Sequence, residues 1–428
     1  MNKTKPEPGY LFSKSYTNYV FILLFLLYMF DYIDRVVVTS MTKYIEADYG
    51  ISHTKSGLLV SAVYWSIVIL TVPVSGLVDR WSRSKTIGLM ALLWSLATAL
   101  CALTGNFIQL VFTRALIGIG EAGYAPGGTA MIAGMYPQEK RSKMIGLWNA
   151  SIPLGTAIGV LLGGIIATHW GWKHAFGLVA IPGFFVALLF LFVKDYKTVD
   201  LAYVDNDNHK TKMNVKDIFR EFFTRKSLIF TYLGITAVVF VTTSLITWLS
   251  RYFEATRGLE SSKAGMLSSI VMVLAIVGAP VGGIITDKWR KRNPKARLYM
   301  PTITSLLAAL FLTLALFFST GALQYVFFLL MGVTVTAFIS AASAVTQDVV
   351  HAGLRATSYA IAVVVQNLLG ASMAPILIGH MYDIYGIEKA FTILPFVLLI
   401  GAVLFFAGSF YYLNDLSKVS KIKLEAEK

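Results

Sequence analysis

The stretch PVSGLVDRWSRSK, residues 73–85, recurs in the second half of the chain as PVGGIITDKWRKR, residues 280–292. With one inserted residue, an aspartate, a basic residue and a tryptophan of the first copy align with the second copy at a spacing of 208 residues. A second correspondence, Gly118 with Gly332, has a spacing of 214 residues. The chain therefore consists of two related halves.

Composition predicts that both halves lie in a membrane. The chain has 428 residues, of which 56% are hydrophobic and 14% are charged, and its mean hydropathy is +0.66. Soluble domains are about 45–50% apolar and about 25% charged, and a membrane-spanning helix needs about 20 mostly apolar residues. The sequence therefore predicts an all-α membrane protein with twelve transmembrane helices. The predicted spans are residues 18–39, 56–78, 85–104, 107–134, 142–167, 175–193, 227–252, 262–285, 298–318, 322–345, 355–380 and 390–412.

The longest polar stretch of the chain divides the twelve predicted spans six and six. It predicts an N-terminal six-helix bundle at residues 1–193, a cytoplasmic linker at 194–226 and a C-terminal six-helix bundle at 227–428. Two repeated bundles around a central cavity are a plan used by secondary transporters. Each chain would contain both halves of that cavity, so we expect a monomer.

The net charge of +14 is distributed unevenly along the chain. If the N-terminus is cytoplasmic, about 28 of the 37 Lys and Arg residues lie on the cytoplasmic side and about 6 lie outside. Cytoplasmic loops of membrane proteins carry this excess of basic residues. The charge therefore predicts that both termini are cytoplasmic, and it gives no reason to expect a nucleic-acid partner. The short loops and tails favour a bacterial inner (plasma) membrane.

The two repeated stretches resemble the loop pattern G-x-x-x-D-(R/K)-x-G-(R/K)-(R/K) of the major facilitator superfamily, although serine replaces two of the glycines in the first copy. The resemblance covers essentially the whole chain. It implies a secondary transporter that works by alternating access and a cytoplasmic gate at the loop motif. A solvated helix end is the alternative interpretation of the same residues. The residues that match the motif's acidic and basic positions are Asp79, Arg80, Asp287 and Lys288.

Within the superfamily, TRALIGIGEAGYAPGG (residues 113–128), with YIDR earlier in the chain, resembles two branches. One is the Spinster-like group, and the other comprises the anion:cation symporters that carry sugar acids and similar anions. The segment LRATSYAIAVVVQNLLGASMAPILIG (residues 354–379) is more similar to the Spinster-like group, whereas TWL…YF in the seventh span is more similar to the symporters. The resemblance thus implies either a small organic anion, such as a sugar acid or carboxylate, or a lysolipid or sphingoid-type amphiphile.

Charged residues interrupt two of the apolar spans. Asp31, Asp34 and Arg35 have i, i+3, i+4 spacing and share one face of the first span, and Arg114 and Glu121 lie seven residues apart on one face of the fourth. Each charge at the bilayer centre costs about 2.5–3.5 kcal/mol, so the five must pair or face water. The matching positions of the second half carry no such cluster. This asymmetry favours a binding site, and a structural salt-bridge network is the alternative.

The charge balance of the cluster suggests a mechanism. Three carboxylates and two guanidiniums leave a charge of −1, which one proton would neutralise. An anion that binds the arginines would draw them away from their carboxylates, which would then favour a proton. The resemblance implies proton coupling at Asp34 and Glu121 and substrate binding at Arg35 and Arg114. Asp31 has no clear family counterpart, and we assign it as a second proton site or a partner of Arg35.

Further polar residues are candidates for substrate contacts. Tyr124 lies three residues beyond Glu121 and could bind ligand or pack, and Gln366 and Asn367 could contact substrate or a neighbouring helix. Small residues spaced four apart in a membrane helix permit close helix packing. Such a series occurs in the fifth span at Gly155, Gly159 and Gly163.

Other functional classes find little support. The six histidines have no metal-ligand spacing, and neither a G-x-S-x-G elbow nor a Gly-Lys dipeptide is present, which argues against an enzyme and against a Walker phosphate loop. We expect no cofactor and no metal. The expected partners are a small-molecule substrate, protons and the lipid bilayer. A non-transporting receptor on the same fold is the remaining alternative.

Overall fold

The structure, a computed structural model, describes residues 10–80, 82–195, 222–350 and 355–419. Within these ranges the chain is helical and contains no β-strand. In the first half the helices are α1 (Lys14–Val36), continued by a 3₁₀ turn (Val37–Ser40), α2 (Thr42–Tyr49), α3 (His53–Arg80), α4 (Arg83–Cys101), α5 (Phe107–Glu121), α6 (Tyr124–Met135), α7 (Gln138–Asn149), α8 (Ser151–Trp170) and α9 (Trp172–Leu191).

The second half continues with a comparable series, interrupted once by a π-helix. Its helices are α10 (Lys226–Arg257), α11 (Ser261–Arg290), α12 (Ala296–Phe317), α13 (Gly321–Thr336), α14 (Ile339–Asp348), α15 (Arg355–Val365), the π-helix (Gln366–Ala371), α16 (Met373–Tyr385), α17 (Ile387–Phe391) and α18 (Leu394–Ser417).

Side chains that satisfy free backbone groups fix several helix ends. The hydroxyl of Ser13 accepts the N–H of Tyr16 at the start of α1, and the amide oxygen of Asn106 accepts the N–H of Gln109 at the start of α5. Ser and Asn are favoured at this position because their oxygens replace the missing helical acceptor. The helix α2 ends at Gly50, whose φ of +61° glycine adopts without steric cost.

Ten stretches of the described residues are long and apolar enough to cross a membrane. They match ten of the predicted spans. The other two predicted spans, 18–39 and 107–134, correspond to α1 and to the pair α5–α6. These are the spans that contain the charged cluster. The helices α5 and α6 have 15 and 12 residues, so each alone is shorter than a membrane-spanning helix.

Several predicted spans are broken where the sequence analysis treats them as continuous. The ring of a proline clashes with the carbonyl four residues earlier, which can end a helix. Prolines inside α3, α9, α11 and α12 cause no such break, so a proline permits a break without requiring one. Helical segments end within one residue of the position four before Pro126, Pro153, Pro375 and Pro395.

The described chain forms two packing units. Unit one consists of Met1–Tyr196, Thr243–Ile276 and Ala371–Phe391. Unit two consists of Lys197–Thr242, Val277–Gly370 and Thr392–Lys428. The sequence predicts a different division, into two six-helix bundles joined by a linker at residues 194–226. The packing units are defined by contacts between residues and not by the internal repeat, so that division stays a prediction.

Within unit one, glycines bring α8 against α1. A Cβ atom at Gly159 would lie 2.9 Å from the carbonyl oxygen of Ile33, and Gly155 and Gly163 meet α1 and its 3₁₀ continuation about one turn earlier and later. The predicted packing role of these three glycines is confirmed. The contact holds α8 along the last turns of α1, the part of the helix that carries the charged residues.

This close approach predicts a difference between two glycine-to-alanine variants. Gly159→Ala should lower the thermal unfolding temperature, because overpacking typically costs about 1–3 kcal/mol. Gly146→Ala is the matched control, since a Cβ there would meet no atom within 4 Å. Thermal unfolding of the purified protein in detergent measures both. Equal unfolding temperatures for the two variants would contradict the contact between α8 and α1.

Candidate functional site

Three of the five predicted charged residues form a connected group in unit one. The guanidinium of Arg35 on α1 lies 2.9 Å from the carboxylate of Asp31, one turn earlier, and 2.9 Å from the carboxylate of Glu121 at the end of α5. The Arg35 side chain is 11% exposed, whereas both carboxylates are almost fully buried. Arg35 is therefore the most accessible charge of the cluster.

Two tyrosines cover the guanidinium of Arg35. Its central carbon lies 4.5 Å from the ring centre of Tyr32 and 5.7 Å from that of Tyr64 on α3. Such cation–π contacts stabilise a desolvated cation. Neither tyrosine is among the site residues predicted from the sequence. Tyr32 could have been found from its i, i+3 spacing to Arg35, whereas Tyr64 belongs to another helix and gives no local signal.

Arg114 has a different environment from Arg35. It is fully buried and donates to three backbone carbonyls, those of Leu59 (3.2 Å), Asp34 (2.9 Å) and Arg35 (2.7 Å). The last two belong to the end of α1, where carbonyls lack N–H donors within the helix. The expectation that both arginines are held by carboxylates is therefore wrong for Arg114. Its guanidinium joins α5 to the end of α1 and to α3.

Asp34 is the carboxylate of the cluster that has no ion pair. It is fully buried, and neither of its side-chain oxygens has a hydrogen-bond partner among the described residues. An ionised carboxylate in such surroundings is costly, because no hydrogen bond replaces its lost hydration.

Tyr124 lies at the start of α6 and is fully buried. Its hydroxyl donates to the carbonyl of Leu24 on α1 at 2.5 Å, and the indole N–H of Trp148 donates to the same oxygen at 3.2 Å. The ring of Tyr28 packs against both aromatic side chains. This geometry favours the packing alternative for Tyr124 over a substrate contact.

Two further predicted site residues lie where the π-helix follows α15. Gln366 and Asn367 begin the π-helix and are half-buried residues of unit two, whereas the charged cluster lies in unit one. Single π-helical turns often occur at functional sites, and these two residues stay candidates. In the described parts of the chain, no group of three or more His, Cys, Asp or Glu side chains is arranged to hold a metal ion.

The predicted gate residues lie near the ends of two helices. Asp287 and Lys288 are exposed in the last turn of α11. The backbone of Asp79 and Arg80 forms the end of α3, and their side chains lie outside the described part of the structure. The gate role stays a prediction.

The unequal environments of Arg114 and Asp34 predict opposite stability effects. Arg114→Lys should lower the thermal unfolding temperature, because each buried carbonyl left without a donor costs about 1–3 kcal/mol. Asp34→Asn keeps the side-chain volume and removes a carboxylate that has no ion pair, so it should unfold at or above the wild-type temperature. Differential scanning fluorimetry at neutral pH compares the two. A larger loss of stability in Asp34→Asn than in Arg114→Lys would contradict this description of the site.

Similarity to known proteins covers nearly the whole chain. It is 27% identical to "Protein spinster homolog 1" of Xenopus tropicalis over 92% of this chain and 81% of the relative. It is also 27% identical to the "Hexuronate transporter" of Bacillus subtilis (strain 168), over 68% of this chain and 69% of the relative. A crystal structure of a bacterial homolog to the human lysosomal transporter Spinster, in an inward-facing and unoccupied conformation, superimposes with a TM-score of 0.83 at 22% identity, covering 94% of this chain and 99% of that one.

These similarities confirm the predicted all-α membrane fold of twelve helices and the resemblance noted from the loop motif. The sequence pattern of the Major Facilitator Superfamily matches residues 24–375, which is most of the chain. The protein is therefore a multi-pass integral membrane protein, and it belongs to the Major Facilitator Superfamily of transporters.

Proposed function

We propose that the protein is a proton-coupled secondary transporter that moves a small organic anion, of the sugar-acid or carboxylate class, by alternating access. The observation that carries this proposal is the position of Arg35. Its guanidinium lies between the carboxylates of Asp31 and Glu121, at 2.9 Å from each, and is the most accessible charge of the cluster. A site that already binds two carboxylates has the geometry to bind a third in exchange for one of them.

The chemistry of arginine supports an anionic substrate. A guanidinium is planar and presents paired N–H donors that match the two oxygens of a carboxylate. The rings of Tyr32 and Tyr64 lie beside the guanidinium of Arg35 and stabilise its charge by cation–π contact. In this proposal the substrate carboxylate replaces Glu121 or Asp31 as the partner of Arg35.

Arg114 serves this site as a positioning residue. Its three hydrogen bonds end on backbone carbonyls, including that of Arg35 itself, and it has no exposed surface. A substrate could bind Arg114 directly only after those bonds break. We therefore assign substrate binding to Arg35 and the orientation of the end of α1 to Arg114.

Proton coupling follows from the charge balance of the cluster. Asp34 has no ion pair and is the natural place for a proton when no substrate is bound. A monoanion that binds Arg35 displaces the carboxylate of Glu121 or Asp31. The displaced carboxylate is then buried without a cationic partner and favours a proton of its own. Each monoanion then enters with one proton, and the cluster keeps its charge. We assign the displaced carboxylate that binds the proton to Glu121 of α5, and Asp31 is the alternative residue for this role.

Some of the similar proteins carry names that agree with a sugar-acid substrate, and others do not. One relative is named a hexuronate transporter, and another a probable galactarate/D-glucarate transporter. The similarity to Spinster homologs extends over a larger share of the chain, 92% compared with 68%. This favours, as a second candidate, the lysolipid or sphingoid-type amphiphile that the Spinster-like resemblance implies, with Arg35 as its headgroup contact.

The proposed orientation places both termini and the residues between α9 and α10 in the cytoplasm of a bacterial inner membrane. The concentration of Lys and Arg in these segments supports it. Asp79, Arg80, Asp287 and Lys288 then lie at the cytoplasmic ends of α3 and α11, where they would form the gate. The α2 end of unit one then faces the outside. We propose that one chain forms the functional unit.

Proton uptake by the purified protein in liposomes tests the function directly. A panel of sugar acids, carboxylates and lysolipids is added outside while the external pH is recorded. We expect alkalinisation on addition of one soluble anion, lost in Glu121→Gln, while the variant still exchanges labelled substrate. Full proton-driven accumulation by Glu121→Gln would contradict its coupling role. A response only to a lysolipid would transfer the protein to the second candidate, and binding without flux would favour a receptor.

Substrate binding should depend on Arg35. Arg35→Gln removes one member of a buried charge pair, which typically costs at least about 2 kcal/mol, so the affinity for the anion should fall by about thirty-fold. Arg257→Gln, a change at the far end of α10, is the matched control. Substrate-induced thermal stabilisation measures both affinities. Unchanged affinity in Arg35→Gln would remove Arg35 from the site.

A further inference from the structure

The turn between α11 and α12, with the helix ends on either side, carries more positive charge than its counterpart in the first half. Residues 287–297, which we call the basic turn, contain six basic residues and one acidic residue, a net charge of +5. The corresponding residues 79–89 contain three basic residues and one acidic residue. Both copies carry the loop motif, so the motif does not account for the additional charge. The basic residues of the basic turn are Lys288, Arg290, Lys291, Arg292, Lys295 and Arg297.

Hydrogen bonds order the backbone of the basic turn. The N–H groups of Arg292 and Asn293 both donate to the carbonyl of Trp289 at 3.0 Å, and the N–H of Ala296 donates to the carbonyl of Asn293 at 3.0 Å. The side-chain oxygen of Asn293 accepts the N–H of Lys295, also at 3.0 Å. The basic side chains therefore extend from an ordered backbone, so little loop entropy is lost when a ligand binds them.

Most cations of the basic turn have no acidic partner. In the described parts of the chain, Arg297 is the one member of the six with an ion pair, to the carboxylate of Asp348 on α14. That carboxylate also accepts the hydroxyl of Tyr412 on α18 at 2.8 Å. The exposed cations are Lys288, Arg290, Lys291 and Arg292. Like charges this close in sequence repel one another, and a bound anion would relieve the repulsion.

Directly before the basic turn, the exposed side of α11 is apolar. Ile284 and Ile285 are exposed, and Lys288 follows them on the same side of the helix, since residues three and four apart share a face. The rings of Trp289 and Tyr299 have centres 6.0 Å apart, and these two residue types are enriched where a membrane meets water. The surface thus changes from apolar to cationic within one helical turn, which fits an amphiphile with an anionic head.

We propose that the basic turn binds the phosphate of an anionic phospholipid, whose acyl chains lie along the exposed apolar side of α11. Guanidinium and ammonium groups bind phosphate oxygens by charge-assisted hydrogen bonds, and clusters of about four to eight basic residues beside a membrane helix attract anionic lipids. A free phosphate ion would use the cations alone, whereas a lipid also uses the apolar side. This site belongs to unit two and the charged cluster to unit one, so lipid binding does not depend on which substrate the transporter moves.

Native mass spectrometry of the full-length protein released from detergent tests the proposal. The protein is titrated with an anionic phosphatidylglycerol and with a zwitterionic phosphatidylcholine of the same acyl chains. Phosphatidylglycerol should bind at least about ten-fold more tightly, because each basic residue near an anionic headgroup contributes about five-fold, or about 1 kcal/mol. Equal affinities for the two lipids would overturn the proposal. Inorganic phosphate at the same concentration should not displace phosphatidylglycerol, and displacement would overturn the lipid as the ligand.

A triple variant assigns the lipid preference to the basic turn. Lys291→Gln, Arg292→Gln and Lys295→Gln together should lower the affinity for phosphatidylglycerol by about a hundred-fold, which is about five-fold for each residue. The affinity for phosphatidylcholine should stay unchanged, which shows that the variant is folded. A full preference for phosphatidylglycerol in the triple variant would overturn the proposal.

Two control variants separate this site from net charge and from the charged cluster. Lys43→Gln, Lys55→Gln and Lys263→Gln together remove the same charge from exposed lysines of unit one and should leave the lipid preference intact. An equal loss of preference in this variant would overturn the basic turn as the site. Arg35→Gln should also leave the preference intact. Loss of the preference in Arg35→Gln with retention in the triple variant would overturn the lipid site and would leave the proposed substrate role of Arg35 standing.

Discussion

The hydrogen bonds from Arg114 to three backbone carbonyls determine the geometry of the whole charged cluster. An arginine inside a membrane is costly, and so are carbonyls at the end of a membrane helix that have no donor. The guanidinium of Arg114 and the carbonyls of Asp34 and Arg35 satisfy each other at 2.9 and 2.7 Å. Because Asp34 and Arg35 belong to this same turn, the directions of their side chains follow from the contact.

Two consequences follow for the electrostatics of the site. Arg114 donates its hydrogen bonds to backbone carbonyls, so the carboxylate of Asp34 beside it has no ion pair. Arg35 in turn binds two carboxylates. The site thus has one carboxylate without a cationic partner, that of Asp34, and one arginine that binds two carboxylates, Arg35. Coupled binding of an anion and a proton requires both features. The glycines of α8 pack closely against the same last turns of α1 and restrict their movement.

The sequence predicts the elements of this arrangement better than their contacts. The repeated loop motif, the apolar spans and the five charged positions can all be found by spacing along the chain, since each depends on residues close in sequence. The hydrogen-bond partners of Arg114 cannot be predicted in this way, because they are backbone carbonyls. Every residue has a backbone carbonyl, so the pattern of side chains does not show which carbonyls Arg114 binds. Tyr64 escapes for a related reason, since it reaches Arg35 from another helix. The helix breaks beside Pro126 and Pro153 have a local cause, yet other prolines lie in unbroken helices.

The helix α3 connects the charged cluster to a carboxylate of α16, since Asp383 accepts the backbone N–H groups of His53 and Thr54 at 2.8 Å. His53 is its first residue, the carbonyl of Leu59 accepts from Arg114, and the ring of Tyr64 lies beside Arg35. Six residues separate His53 from Leu59, about 9 Å of a helix that rises about 1.5 Å per residue. A hydrogen-bonded helix over that distance moves as one body, so a displacement of its first turn also displaces an acceptor of Arg114. Release of Asp383 from the start of α3 would therefore shift the carbonyl of Leu59, and with it the hydrogen bonds by which Arg114 orients the end of α1.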